Sequence, residues 1–330
     1  MPARRVLAMT ELSRLVDRVA ATGEPAEDQM SLVFPEHRTL SVRIFPLVER
    51  GIQTGVVVTL IDLTDQHRLD ALRRDFVVNA SHELKTPVAA ITALSEGAAT
   101  ALEDGDLEMA ARFLARVDRE AERLDRLVRD LLDLSKVEGG TLAIEPVDLA
   151  ALIADVAGRY AERAAEKRID LRARRIPKVT IRGDHAHLDL LVSNLLDNAL
   201  RYTEPGGSVR LRLTDRTGAD RQGDGHGQVV LEVEDTGRGI PSRDLPRVFE
   251  RFYRVDRSRD RGSGGTGLGL AIVRHVAETH GGKVSVASEL GRGTTFTVVL
   301  PSVPPAARMQ ELAAEAAAED PPAELSRGGP

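Results

Sequence analysis

The sequence contains no cysteine and no tryptophan, and only 3% of its residues are aromatic. Without cysteine the chain can form no disulfide, no thiolate nucleophile and no sulfur-ligated zinc site. Apolar residues still make up 42% of the chain, so we expect hydrophobic cores built from Leu, Val, Ile and Ala.

Long apolar runs are also missing. The most apolar run, from Gly55 to Ile61, has about seven residues, whereas a membrane-spanning helix needs roughly 20. The first residues, Met-Pro-Ala-Arg-Arg, lack the apolar core of a signal peptide. From this pattern we expect a cytoplasmic chain without a membrane span.

The charge is nearly balanced, with 45 basic and 51 acidic residues and a net charge of −6. Domains that bind nucleic acid usually carry an excess of Lys and Arg on one surface. No nucleic-acid partner is therefore expected. The length of 330 residues leaves room for two or three domains.

Residues 1–64 combine a helical pattern with two β-rich runs. Apolar residues have helical spacing over 4–22, and residues 39–45 alternate as in a half-buried strand. Residues 55–61 are more uniformly apolar, which predicts a more buried strand. The order resembles the C-terminal half of a PAS sensor domain without its front half, so we expect no small-molecule signal to bind here. The alternative is a small α+β cap with no sensing role.

Two long helices are predicted next, over residues 65–102 and 107–137, with a turn at 103–106. A single hairpin of such helices would leave much apolar surface in water, so we predict a dimeric four-helix bundle. The alternative is a coiled coil within one chain. The apolar seam of the second helix follows a heptad repeat and comprises Leu107, Ala110, Leu114, Val117, Ala121, Leu124, Val128 and Leu131.

Helical and strand patterns then mix from residue 141 to 301, which predicts an α/β sandwich. The following stretch, 302–330, is rich in Ala, Glu and Pro and is expected to be a disordered tail. The alternative for the tail is a partner-binding helix over 306–319.

Polar residues line one face of a helix predicted within the sandwich. Asn194, Asn198, Arg201 and Tyr202 follow one another in steps of four, three and one. Buried amides at such positions would be costly unless they held a polar ligand. Amide oxygens are suitable ligands for Mg²⁺, which prefers hard oxygen donors.

Two glycine-containing motifs follow in the chain. Asp235 ends a predicted strand and precedes Gly237 and Gly239, so its carboxylate can accept a hydrogen bond from an exocyclic amine. The run 264–270 is rich in glycine and leads into a helix, where backbone N–H groups can hold phosphates. Neither motif is a P-loop or a Rossmann fingerprint.

The three motifs in this order resemble the ATP-binding domain shared by histidine kinases, gyrase, heat-shock chaperones and mismatch-repair proteins. The resemblance covers about residues 145–301 and implies ATP and Mg²⁺ as ligands. It implies that Asn198 holds the metal with Asn194 nearby, and that Asp235 receives the adenine amine. It further implies that Tyr202 lies against the base and that Arg201 reaches the phosphates. The residues that would shape the pocket and its lid are Gly237, Gly239, Gly265, Thr266, Gly267, Leu268 and Gly269.

A phenylalanine-rich element lies between the second and third motifs. Residues 248–254 match the element found in the kinases, and 253–266 would be the mobile ATP lid. The side chains of Phe249 and Phe252 are expected to pack in the core.

The stretch 76–87 places a histidine between a hydroxyl and an acid, with Pro87 five residues later. It resembles the phosphoacceptor motif of sensor histidine kinases. The resemblance implies that His82 is phosphorylated, because a neutral imidazole is a good nucleophile near neutral pH. Glu83 can accept the proton of the other ring nitrogen. Thr86, one turn later, is implied in placing a water against a phospho-aspartate.

Together these resemblances imply a homodimeric sensor histidine kinase of a two-component system. It would phosphorylate itself on histidine, transfer the phosphoryl group to an aspartate of a response regulator receiver domain, and dephosphorylate that regulator as a second activity. The alternatives are a conformational ATPase of the same superfamily and a catalytically inactive dimeric scaffold. The implied domains are a partial PAS-like segment at 1–64, a dimerisation and phosphotransfer domain at 65–140, an ATP-binding domain at 141–301 and the tail at 302–330.

Overall fold

The computed structural model describes residues 2–32, 38–174, 176–216, 227–255 and 265–302. The chain divides into two compact units, residues 1–83 and 84–330. Most of the predicted lid and tail, including the alternative helix over 306–319, lie outside the described residues.

The first unit begins with a helix packed on a small sheet. Helix α1 (Pro2–Thr22) precedes strands β1 (Ala26–Leu32), β2 (Arg38–Glu49) and β3 (Ile52–Asp62), which form an antiparallel sheet in the order β1-β2-β3. Gly23 ends α1 with a φ of 68°, and its N–H donates to the Val19 carbonyl at 2.9 Å. The core between helix and sheet consists of Leu15, Val19, Met30, Val42 and Ile44.

Two strands of this sheet differ from what the sequence pattern indicates. Strand β1 carries a largely polar sequence with Met30 buried, and its pattern does not predict a strand. Strand β3 is not a buried strand but an edge strand, and each of its residues is exposed or half-buried. Phe45 and its pairing partner Val57 lie on the face opposite α1, and both are exposed.

Two long helices follow as predicted, α2 (Thr64–Glu103) and α3 (Leu107–Gly139). The Thr64 hydroxyl accepts from the Thr39 N–H at 2.9 Å, which fixes the start of α2 to the sheet. Asp106 caps α3 by accepting from the Met109 N–H at 2.9 Å. Helix α2 continues through Pro87.

Among the described residues, no helix combines the length and the apolar character that crossing a membrane requires.

The predicted seam of α3 is only partly covered within one chain. Leu107 and Leu114 are 71% and 50% exposed, whereas Ala110 is buried. The other buried residues of α3 belong to a different face and are Leu127, Leu134 and Val137. The exposed part of the seam is the surface that a dimeric bundle would bury.

The predicted α/β sandwich is confirmed in the second unit. The elements are β4 (Glu145–Asp148), α4 (Leu149–Glu166), β5 (Asp170–Arg174), β6 (Thr180–Gly183), α5 (His185–Tyr202), β7 (Ser208–Asp215), β8 (Gln228–Asp235), α6 (Gly269–Thr279), β9 (Lys283–Glu289) and β10 (Gly293–Pro301). The five-stranded mixed sheet has the order β5-β7-β8-β10-β9, in which β5 is parallel to β7 and the other neighbouring pairs are antiparallel. Helices α4, α5 and α6 pack on the sheet, with Leu195, Leu200 and Phe296 fully buried between the layers.

The connection after α3 contains a strand that no sequence pattern indicates. This strand, β4, pairs with β6 outside the main sheet. Strand β4 has the sequence Glu-Pro-Val-Asp, which is too short and too polar to show a strand pattern. Asp184 caps α5, and its carboxylate also accepts from the Ala143 N–H at 2.9 Å.

His280 is a buried packing residue. Its Nε2 accepts from the Asp184 N–H at 3.0 Å, so its Nδ1, 2.8 Å from the Val276 carbonyl, carries the proton and donates. Burial lowers the pKa of His280, which favours this neutral form. The ring thereby ties the end of α6 to the start of α5.

Candidate active site

A cavity of about 420 Å³ lies in the second unit where α5, the end of β8 and the glycine-rich motif meet. Most of the residues predicted to bind the nucleotide line it, although they are spread over three separate motifs. They are Asn194, Asn198, Arg201, Tyr202, Asp235, Gly239, Gly265, Thr266, Gly267 and Gly269.

The polar face of α5 forms one wall. The opposite face of the helix buries Leu195 and Leu196 in the core, which orients the asparagines toward the cavity. The Asn194 amide nitrogen donates to the Leu190 carbonyl at 2.9 Å. Its oxygen faces the glycine-rich motif, since a Cβ on Gly269 would lie 2.5 Å from that atom. Alanine at position 269 would therefore displace the amide.

Two arginines beside the cavity, Arg201 and Arg163, share the single carboxylate of Asp197. Arg201 donates to Asp197 at 2.7 Å, and Arg163 donates to the other oxygen of the same carboxylate at 2.6 Å. This wall therefore carries more positive than negative charge, which suits a polyphosphate.

Asp235 is buried at the end of β8. Its Oδ1 accepts from the Gly237 N–H at 2.8 Å. Burial raises the pKa of Asp235 to about 6, against the opposing effect of the backbone hydrogen bonds from Gly237 and Thr294. A carboxylate held at such a cost is typical of a functional site.

The glycine-rich motif packs directly against the phenylalanine-rich element. Gly267 has a φ of 76°, and a Cβ there would lie 2.7 Å from the Phe252 carbonyl carbon. The Phe252 N–H donates to the Gly267 carbonyl at 2.8 Å. Phe252 is buried, and Phe249 contacts Phe296 edge-on with ring centroids 6.2 Å apart, so both pack as expected.

Two predicted binding residues do not line the cavity. Leu268 is fully buried and belongs to the core. Gly237 shapes the site from behind, because a Cβ there would lie 2.4 Å from the Tyr202 carbonyl oxygen. Both support the pocket without facing it.

Sequence patterns missed several residues that do line it. Arg238 stacks over the Tyr202 ring at 4.6 Å from the centroid. Four α3 residues also face the cavity, namely Arg126, Arg129, Asp130 and Asp133. Their i, i+3 and i+4 spacing shows that they share a helix face, but no sequence signal indicates what that face meets.

The phosphoacceptor motif lies on α2. His82 and Thr86 are exposed, Glu83 is half-buried and Pro87 is buried. Proline removes one backbone hydrogen bond from the helix without ending it here. An exposed imidazole is accessible to a phosphoryl donor.

Family models match the chain in three consecutive parts. Residues 2–68 match the PAS fold, residues 72–140 match the His Kinase A phospho-acceptor domain, and residues 183–304 match the histidine kinase-, DNA gyrase B- and HSP90-like ATPase. The chain belongs to the sensor histidine kinases of two-component systems. Its ATPase match shows that this member of the family carries an ATP-binding domain.

Individual relatives agree with the family. The sensor protein SrrB of Staphylococcus aureus is 37% identical over 259 residues, which cover 77% of this chain and 42% of SrrB. The chain therefore spans less than half the length of the curated relatives it matches.

Solved structures of kinases share the fold. Histidine kinase ThkA, in complex with response regulator protein TrrA, matches with a TM-score of 0.54 at 19% identity over 88% of this chain and 83% of that chain. Histidine kinase AdeS of Acinetobacter baumannii matches with a TM-score of 0.50 at 24% identity over 67% of this chain and 98% of that chain. The multidomain fold class expected from the sequence is confirmed.

Proposed function

We propose that this chain is a protein-histidine kinase that binds ATP in the cavity and transfers its γ-phosphoryl group to His82. The observation that carries the proposal is the combination of a phosphoacceptor motif on an exposed helix face with a cavity lined by the predicted nucleotide residues. A conformational ATPase would need no such histidine, and an inactive scaffold would not need to hold a buried carboxylate at Asp235.

The cavity residues have separate roles in nucleotide binding. The Asp235 carboxylate accepts from the exocyclic amine of adenine, and the Tyr202 ring packs against the base. Arg201 and the N–H groups around Gly265 and Gly267 bind the phosphates.

The asparagines of α5 fit a magnesium ion. Asn198, with Asn194 nearby, would supply a neutral oxygen, while the carboxylate of Asp197 already accepts from two arginines. Magnesium commonly keeps several waters and takes its remaining ligands from substrate phosphates. When bound, it would neutralise charge on the phosphates.

The transfer step uses His82 and Glu83. One neutral ring nitrogen of His82 attacks the γ-phosphorus, a nitrogen–phosphorus bond forms, and the bond from phosphorus to the bridging oxygen of ADP breaks. The proton on the other ring nitrogen is held by the Glu83 carboxylate, which stabilises the charge that develops on the ring. A receiver-domain aspartate of a response regulator then takes the phosphoryl group.

We also propose the four-part organisation and the homodimer. The three family matches agree with a PAS-like segment at 1–64, a phosphotransfer domain at 65–140 and an ATP-binding domain at 141–301. The exposed seam of α3 supports a second copy as its partner. The cytoplasmic location expected from the sequence stays a prediction.

The function is tested by incubating the chain with γ-labelled ATP and Mg²⁺ and then treating the product with acid or base. Phosphohistidine loses its label in acid and keeps it in base, whereas a phosphoserine or phosphothreonine shows the reverse. An unlabelled chain that binds ATP would point to the scaffold or the conformational ATPase instead.

Thr86→Ala should leave self-phosphorylation unchanged and slow dephosphorylation of the phosphorylated regulator. The hydroxyl lies one turn after His82 and is exposed, so it can position the attacking water. Losing one such hydrogen bond should slow the reaction by about tenfold. The rate is measured as loss of label from purified phospho-regulator.

Thr92→Ala is the matched control, because Thr92 is an exposed threonine of the same helix. If both variants dephosphorylate the regulator at the wild-type rate, Thr86 has no role in that reaction.

A further inference from the structure

Helix α3, which belongs to the phosphotransfer part of the chain, forms one side of the cavity. Arg126, Asp130 and Asp133 face the nucleotide residues of α5 and the glycine-rich motif. Two contacts outside the cavity keep the helix there. Arg251 donates to Glu138 at 2.5 Å, and the His275 Nε2–H donates to the Val137 carbonyl at 3.3 Å.

The contact inside the cavity is a hydrogen bond from the Thr266 hydroxyl to the Asp130 carboxylate. The same hydroxyl oxygen accepts from the Leu268 N–H at 3.3 Å. Thr266 stands between Gly265 and Gly267, where the glycine-rich motif would hold phosphate. Its hydroxyl is therefore the donor that a phosphate oxygen would use, and a carboxylate occupies it.

The charge of Asp130 is poorly compensated. Burial raises the pKa of the Asp130 carboxyl, while the hydrogen bond from Thr266 and the charge of Arg201 oppose that rise. Among the described residues, no cation lies within ion-pair distance of this carboxylate, and the nearby carboxylates of Asp197 and Asp133 raise its pKa further. The hydrogen bond from the Thr266 hydroxyl offsets part of the cost of burying this carboxylate.

We propose that Asp130 competes with the nucleotide phosphates for Thr266 and so sets the nucleotide affinity of the kinase. The inference rests on the proposed function, because it takes the cavity to be the ATP site. Nucleotide binding must replace the Asp130–Thr266 hydrogen bond with one to a phosphate oxygen. The two equilibria are thermodynamically linked. The factor by which the Asp130–Thr266 contact lowers nucleotide affinity is also the factor by which a bound nucleotide weakens that contact.

Asp130→Asn should tighten the binding of both ATP and ADP by about fivefold or more, the usual lower range for such coupling. The variant removes the charge and keeps the shape of the side chain. Calorimetric titration of the full chain with ATP, with ADP and with ATP in excess Mg²⁺ measures the effect. Thermal unfolding without nucleotide confirms that the variant is folded.

Asp133→Asn is the matched control. Asp133 lies on the same helix at the cavity, and its carboxylate is 3.6 Å from the Lys136 amine rather than on Thr266. It should change the affinity by less than about twofold, as for ordinary partly exposed positions. In a Thr266→Val background, Asp130→Asn should likewise have an effect below about twofold, because the contested donor is gone.

Several results would overturn the inference. If Asp130→Asn and Asp133→Asn raise the nucleotide affinity equally, the negative charge of the cavity sets the affinity, and not the competition for the Thr266 hydroxyl. Weaker binding of Mg²⁺–ATP by Asp130→Asn would make Asp130 a ligand of the metal. If the wild-type chain binds no nucleotide at all, the proposed function itself fails, whereas unchanged binding by Asp130→Asn refutes only the competition.

Discussion

Replacing His82 with glutamine should abolish self-phosphorylation while nucleotide binding persists. Glutamine keeps a polar side chain of similar length, but its amide nitrogen is not a nucleophile. ATP affinity should stay within about twofold of the wild type, because none of the cavity-lining residues is changed. Labelling with γ-labelled ATP and a parallel calorimetric titration measure the two properties on one preparation.

His67→Gln is the control for this variant. His67 is an exposed histidine of the same helix and should keep wild-type labelling when replaced. An acid-labile label that survives in the His82→Gln protein would mean that another histidine is the acceptor. Loss of ATP binding in that protein would mean that the variant has damaged more than the nucleophile.

Asp235→Asn should separate stability from function, since it removes a buried charge that ATP binding needs. One oxygen of Asp235 accepts from the Gly237 N–H, so in the variant the amide nitrogen would face the adenine amine, donor against donor. We expect ATP affinity to fall by about tenfold or more, the cost of losing a hydrogen bond to a charged acceptor. Self-phosphorylation at low ATP should fall in proportion.

The same substitution should stabilise the chain without nucleotide. A carboxyl whose pKa is about 6 when folded and 3.8 when unfolded is destabilising in its charged form. Asp235 therefore contributes most to the free energy of unfolding below pH 3.8, where it is protonated in both states. This contribution is lost as the pH rises through about 6. Above that pH the penalty approaches about 3 kcal/mol, so Asp235→Asn should raise the free energy of unfolding by about 1 to 3 kcal/mol at pH 7.5.

Protonation of Asp235, which raises the free energy of unfolding, should lower the affinity for ATP. As the pH falls through about 6, Asp235 takes up a proton and loses an acceptor, so ATP binding should weaken. Denaturant unfolding without nucleotide and ATP titration across this range measure both effects.

Glu232→Gln changes a carboxylate of the same strand that pairs with Arg212 at 3.3 Å, and it should show neither effect. A variant at Asp235 that binds ATP normally would exclude the proposed adenine contact. An unchanged free energy of unfolding would contradict the raised pKa.

Much of this architecture follows from short-range patterns. The caps at Asp106 and Asp184 and the glycine that ends α1 define helix boundaries through groups that are neighbours in the chain. The polar face of α5 was predictable for the same reason, since its periodicity places Asn194 and Asn198 together. The short polar strands β1 and β4 were not, because they are held by pairing with other strands rather than by a pattern in their own sequence.

For the site, the primary sequence was sufficient to identify the residues of each motif and their chemical type. Their assembly into one cavity required the sheet, which brings the end of β8 beside α5 and the glycine-rich motif. The raised pKa of Asp235, the support role of Gly237 and the contact between Asp130 and Thr266 depend on the surroundings of each group. Burial and electrostatic environment arise between residues far apart in the chain, so only tertiary packing could decide them.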